Sequence, residues 1–259
     1  MMTSQQKPPR GFYLLPNAFT TGNLFAGVFA IMLAMNGRFE MAATAIFVAM
    51  ILDGMDGRVA RLTNTQSAFG EQYDSMADMV AFGVAPALVM YSYTLDTLGR
   101  FGLIATFIYV AGAALRLARF NTNINVVDSR FFQGLPSPSA AALVSGFVWL
   151  SSENRLPTTD FMQWIAFFLT VYAGLSMVSN APFFSGKAML KRKEEDEARQ
   201  KRPSVWILLT LILTFAVIAL DPAIMLFALF VVYSLSGWVV FFVRWRRARE
   251  LSDTRHKQG

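Results

Sequence analysis

The sequence predicts an all-α, polytopic membrane bundle of about eight transmembrane helices with both termini in the cytoplasm. Three observations predict it. Of the 259 residues, 54% are hydrophobic and only 15% are charged, a balance that a soluble domain of this length does not need to fill its core. Several apolar windows reach the roughly 20 residues that cross a hydrocarbon layer. Lysine and arginine also fall almost entirely on alternate connections, as the positive-inside rule requires.

The first apolar run, 19–35, follows Leu15, Pro16 and Asn17 and contains the polar group Thr20, Thr21, Gly22 and Asn23. The second, 41–52, is too short to span alone, so its helix continues through Asp53 and Asp56 towards water. The third, 75–95, begins among Asp74 and Asp78 and carries Pro86, which predicts a kink. The fourth, 101–120, ends in "LRLARFN", and further runs occupy 137–152, 161–183, 204–220 and 222–243. Only Asp221 and Pro222 separate the last two, a tight turn. With the N-terminus cytoplasmic, all of the 23 basic residues except Arg38, Arg100 and Arg155 lie on the cytoplasmic side. A count of seven or nine spans destroys this asymmetry.

The chain thus divides into a cytoplasmic N-terminal segment (1–18), a helical core (19–183), a charged cytoplasmic loop (184–203), two further helices (204–243) and a basic tail (244–259). The mixed-charge "KAMLKRKEEDEARQKRP" (187–203) reads as a solvated loop. Both it and "RWRRARE" (244–250) have the composition to meet anionic lipid. These charges are what topology requires, and no nucleic-acid partner is expected. The opening "MMTSQQKPPRGFYLLPN" lacks the apolar stretch of a signal peptide. There is no cysteine, and the single histidine, His256, lies in the charged tail. Disulfides, thiolate zinc sites and cysteine nucleophiles are excluded, and most histidine chemistry with them. Chemistry here falls to carboxylates, arginine, lysine and hydroxyls.

The carboxylates are concentrated in one place. Asp53, Asp56, Gly57, Ala60 and Arg61 share one helical face, at offsets of 3, 4, 7 and 8 residues. Gly70, Asp74, Ala77 and Asp78 share a face on the next helix, and a short loop lets the two lie side by side. Four acids would then meet across one groove and repel. An all-oxygen ligand set without His or Cys suits Mg²⁺, Mn²⁺ or Ca²⁺, and a pair of such ions held by shared carboxylates can clamp a phosphoryl group. The small residues leave room for a ligand, and Arg61 can pair with a phosphate oxygen. A lone acid at a helix end is ordinarily a solvated cap. Four at this spacing, at membrane depth, point to function.

The stretch "DGMDGRVARLTNTQSAFGEQYDSMAD" resembles the signature of the CDP-alcohol phosphotransferases, D-x-x-D-G-x-x-A-R, eight residues, then G-x-x-x-D-x-x-x-D, at every defined position. The resemblance implies a membrane homodimer that displaces CMP from a CDP-linked lipid or alcohol. It implies two divalent cations, Mg²⁺ or Mn²⁺, held by Asp53, Asp56 and Asp74. Asp78 would complete the metal site and take the acceptor proton as the catalytic base. Gly57, Ala60, Arg61, Gly70 and Ala77 would accommodate the CDP-lipid.

Three further segments, "LLPNAFTTGNLFAGVFA", "GAALRLARFNTN" and "FFQGLPSPSAAA", resemble the membrane-embedded phosphatidylserine synthases. That resemblance implies transfer from CDP-diacylglycerol to L-serine at the cytoplasmic face of a bacterial inner membrane. Arg116, Arg119, Asn121, Gln133 and Ser137 are the acceptor-side residues, with Arg119 first for the serine carboxylate. Positive-inside anchoring also explains both arginines. Glycerol 3-phosphate, choline or inositol phosphate remain alternative acceptors for the same chemistry. A divalent-cation transporter is the alternative of another class, although transporters place their acids near mid-membrane on broken helices in repeated halves. A non-catalytic lipid-binding scaffold has no use for the strict carboxylate spacing.

Overall fold

The computed structural model describes residues 14–63, 65, 67–122, 131–153, 159–184 and 221–256, with scattered positions between 209 and 220. Helix α1 (Leu14–Met35) and helix α2 (Phe39–Leu62) form a hairpin across Asn36, Gly37 and Arg38. Gly37 takes φ 71°, where glycine carries no Cβ penalty. Its N–H bonds Ala34 O at 2.9 Å, and that of Arg38 bonds Leu33 O at 2.9 Å, closing the end of α1. Alanines at three- and four-residue spacing (26, 30 and 34 on α1; 42, 45 and 49 on α2) are buried and let the two backbones approach.

Helix α3 (Ala68–Asp78) starts at Ser67, whose hydroxyl accepts the Gly70 N–H at 3.0 Å. It runs into a π-helical turn, Met79–Val84, and then α4 (Ala85–Tyr93). The kink expected at Pro86 takes this form for a physical reason. Pro86 has no N–H for the carbonyl of Phe82, so the ladder shifts register, with the Ala85 N–H bonding Val80 O. The Phe82 carbonyl is served instead by the buried Tyr109 hydroxyl at 3.0 Å. Gly27 of α1 touches this turn so closely that a Cβ there would lie 2.7 Å from Ala81 Cα.

A 3₁₀ turn, Leu95–Leu98, leads through Gly99 into α5 (Arg100–Thr122). Strand β1 (Phe131–Gln133), α6 (Ser137–Ser152), α7 (Asp160–Val178) and β2 (Pro182–Phe184) follow. Helices α5 and α7 meet backbone to backbone: a Cβ on Gly112 would sit 2.4 Å from Gly174 O. Twelve of the 16 residues of α6 are buried, which makes it the central helix. The strands pair antiparallel, Phe131 with Phe184 and Gln133 with Pro182, a ladder the all-helical reading did not anticipate. Helix α8 (Pro222–His256) begins with Asp221 Oδ1 accepting the Ile224 N–H at 3.2 Å, and packs Phe227 against Gly146 of α6.

Among the described residues, five helical stretches are long and apolar enough to cross a membrane: Pro16–Met35, Ala68–Tyr93, Arg100–Thr122, Asp160–Val178 and Pro222–Val243. Large apolar side chains such as Phe25, Met32, Phe107 and Phe168 point outwards, as lipid-facing residues do. The chain is an all-α integral membrane protein. Helix α2 carries acids at one end, and α6 has only 16 residues, so neither is among the five. The charged segment 187–203, Arg130, Arg155, most of the N-terminal segment and most of the run at 204–220 lie outside the described residues.

Candidate active site

Acids from the C-terminal part of α2 meet acids from the C-terminal half of α3. Asp53 comes to hydrogen-bonding range of Asp78, and Asp56 to that of Asp74. Oxygens of Asp53, Asp56 and Asp74 all lie within 4.8 Å of one another. Asp56 is buried, and the other three are partly so. Like charges this close, partly removed from water, need a neutralising partner. Asp74 Oδ1 is buried without a hydrogen-bond partner, and no nitrogen or sulfur ligand stands in the group. These residues fit a hard divalent cation.

Beside the acids opens a cleft of about 230 Å³. Its walls include Asp56, Gly57, Ala60, Arg61, Gly70 and Asp74 from the signature. A Cβ on Gly57 would meet only Arg61 Nη1, at 4.0 Å, so the glycine leaves open space where a ligand can reach the backbone. Arg61 is exposed at the rim. Ala77 is fully buried and does not line the cleft. The remaining walls, Pro16, Asn17, Thr20, Thr65, Ser67 and Glu71, were not assigned to the site from the sequence. Thr20 and Asn23 of α1 reach the acids: Thr20 Oγ1 donates to Asp56 Oδ2 at 2.9 Å, and Asn23 Nδ2 to Asp78 Oδ1 at 3.1 Å. Their signal was the polar "TTGN" inside an apolar run.

The expected acceptor-side residues separate into three pairings. Arg116 is largely buried and interacts electrostatically with Asp78 and Asp53. Its Nη1 donates to Ser137 Oγ at 2.7 Å, while its buried Nε has no partner. Arg119 is engaged elsewhere, its Nη2 donating to Gln133 Oε1 and, at 2.7 Å, to Asn180 Oδ1. Asn121 is tied to α3, its Nδ2 donating to Ser75 Oγ at 3.1 Å. Of the five, Arg116 faces the carboxylates with donor capacity to spare. The α8 residue Tyr233 also lies within electrostatic range of Arg116, a neighbour that no motif indicated.

The arrangement is a cleft walled by small residues and a cation, opening onto paired carboxylates with a second, buried cation beyond them. It can hold a phosphorylated ligand on one side and an anionic one on the other. Comparison with known proteins matches residues 13–172 to the model of the CDP-alcohol phosphatidyltransferase family. The CDP-diacylglycerol–serine O-phosphatidyltransferase of Helicobacter pylori strain J99 is 36% identical over 238 residues, covering 92% of this chain and 96% of the relative. The enzyme of the same name from Mycobacterium leprae is 39% identical over 159 residues, 59% of this chain and 53% of the relative. That of Bacillus subtilis strain 168 is 37% identical over 126 residues, 49% and 70%.

Proposed function

The chain belongs to the CDP-alcohol phosphatidyltransferase family, and on that premise we propose that it transfers the phosphatidyl group of CDP-diacylglycerol to L-serine, releasing CMP. The observation that carries the choice of serine is the near full-length match to the Helicobacter pylori enzyme of that name. The buried Arg116, with an unpartnered Nε beside the acids, supports it as a site for a carboxylate.

In this reading the cleft between α1, α2 and α3 takes the CDP headgroup, with Gly57, Ala60 and Gly70 giving room and Arg61 pairing with a phosphate oxygen. Ala77 lets α3 pack closely behind that wall. Asp53, Asp56, Asp74 and Asp78 would hold two divalent cations, Mg²⁺ or Mn²⁺, which when bound supply charge neutralisation for the pyrophosphate and the departing CMP. Arg116, hydrogen-bonded to Ser137, orients serine by its carboxylate. Arg119, Gln133 and Asn121 shape the mouth of that pocket from α5 and β1. The serine hydroxyl oxygen forms a bond to the phosphorus bearing the diacylglycerol, and the bond from that phosphorus to the CMP oxygen breaks. The hydroxyl proton passes to Asp78. Positioning and charge neutralisation supply most of the rate, with proton transfer adding to it.

The proposed setting is a homodimer in a bacterial inner membrane, with eight crossings and the acids facing the cytoplasm. Support comes from the basic-residue asymmetry of the sequence, and this reading takes 204–220 as the seventh crossing. Because the chain has no cysteine, single introduced cysteines can report this topology without background.

The purified protein, given CDP-diacylglycerol, tests the reaction. CMP is expected only when Mg²⁺ or Mn²⁺ and L-serine are both present, and not with glycerol 3-phosphate, choline or inositol phosphate. Release with one of those alcohols instead overturns serine as the acceptor. No release with any of them returns the acids to cation transport or to a scaffold.

A further inference from the structure

We infer that α1 carries the positioning residues of the acid cluster, with Asn23 fixing Asp78 and Thr20 fixing Asp56. Neither residue belongs to the aspartate signature, and they sit one turn apart on the same face of α1. Asn23 is fully buried; its Nδ2 donates to Asp78 Oδ1 at 3.1 Å, and its own Oδ1 is left without a partner. A buried amide with an unsatisfied oxygen lowers stability relative to an apolar residue of the same shape. Packing therefore does not account for an asparagine here; orientation of the carboxylate does.

Thr20 is 4% exposed and donates to Asp56 Oδ2 at 2.9 Å while also reaching Pro16 O at 3.2 Å. Each cross-helix acid pair thus receives one neutral donor from α1: Asn23 serves Asp53–Asp78, and Thr20 serves Asp56–Asp74. Each donor occupies one carboxylate oxygen and leaves the other to the cation or the acceptor. The Gly27–Ala81 backbone contact one turn beyond Asn23 holds α1 at this distance.

This rests on the proposed function for the meaning of turnover, but not for its decisive measurement. Mn²⁺ binding to the detergent-solubilised full-length protein, read by electron paramagnetic resonance, needs no acceptor. Asn23→Leu and Thr20→Val keep the shape and remove the donor. Each is expected to weaken Mn²⁺ binding by about 10–100-fold, the usual effect of losing a group that orients a metal ligand, with no fall in melting temperature. Asn23→Ala, which only removes atoms, should show the same loss. Thr20→Ser, which restores a hydroxyl, should return Mn²⁺ affinity to within about threefold of the parent. With CDP-diacylglycerol and serine, Asn23→Leu should lower kcat by about 10–100-fold while KM for the CDP-lipid changes little. Unchanged Mn²⁺ affinity overturns the inference, as does a loss that tracks a lowered melting temperature. Normal Mn²⁺ effects with no turnover from the parent protein would instead refute the proposed reaction alone.

Discussion

Tyr109→Phe removes one hydroxyl and nothing else, and the structure fixes what that costs. The hydroxyl donates at 3.0 Å to the carbonyl of Phe82, and both residues are fully buried. Phe82 O cannot recover the ordinary helical donor four residues on, because that position is Pro86. The variant therefore buries a carbonyl that has lost its hydroxyl donor, a cost of about 1–3 kcal/mol, and each 1.4 kcal/mol is about tenfold in the folded-to-unfolded ratio. Reversible unfolding in mixed detergent micelles, followed by tryptophan fluorescence, reads the change. A double-mutant cycle isolates the cause: in a Pro86→Ala background position 86 regains its N–H, and Tyr109→Phe should cost measurably less. If Tyr109→Phe is as stable as the parent, or costs the same with and without Pro86, the account of the π-helical turn is wrong.

Asp78→Asn should abolish serine-dependent CMP release, a loss of about 10²–10⁴-fold or more if Asp78 is the base, while binding of CDP-diacylglycerol stays within a few-fold. Normal CMP release by this variant would sink the base assignment. Arg116→Lys should lower kcat/KM for serine by about 10–100-fold, the value of a charged hydrogen bond to a carboxylate. Arg119→Lys should do less, because Arg119 is engaged with Gln133 and Asn180; equal effects would return Arg119 to the carboxylate. Gly112→Ala places a methyl 2.4 Å from Gly174 O and must push α5 from α7, lowering stability by about 1–3 kcal/mol. A calorimetric or fluorescence melt checks it.

The acid cluster was legible because helical periodicity is local. Spacings of three and four put Asp53 with Asp56, and Asp74 with Asp78, on single faces, and the short link between α2 and α3 leaves little freedom in how those faces meet. The residues that α1 brings to them were visible only as a polar interruption, since the partner of Asn23 is set by tertiary packing through Gly27 and Ala81. Pro86 announced a break but not its form, because the π register depends on Tyr109, which lies on another helix. The pairing of Phe131–Gln133 with Pro182–Phe184 carries no periodic signal at three residues each. The grouping of Arg116, Arg119, Asn121, Gln133 and Ser137 could be read from charge and chain position, but not the different partners that the two arginines take.

The central claim is that these carboxylates support transfer of a phosphatidyl group to serine. The most direct measurement places the purified protein in liposomes containing CDP-diacylglycerol and supplies isotopically labelled L-serine with Mn²⁺ or Mg²⁺. The account predicts that label enters the organic-extractable lipid, with one CMP released for each serine incorporated, and that removing the metal with chelator stops both. Label that stays in the aqueous phase while CMP is released, or lipid labelling that survives chelation, would contradict it.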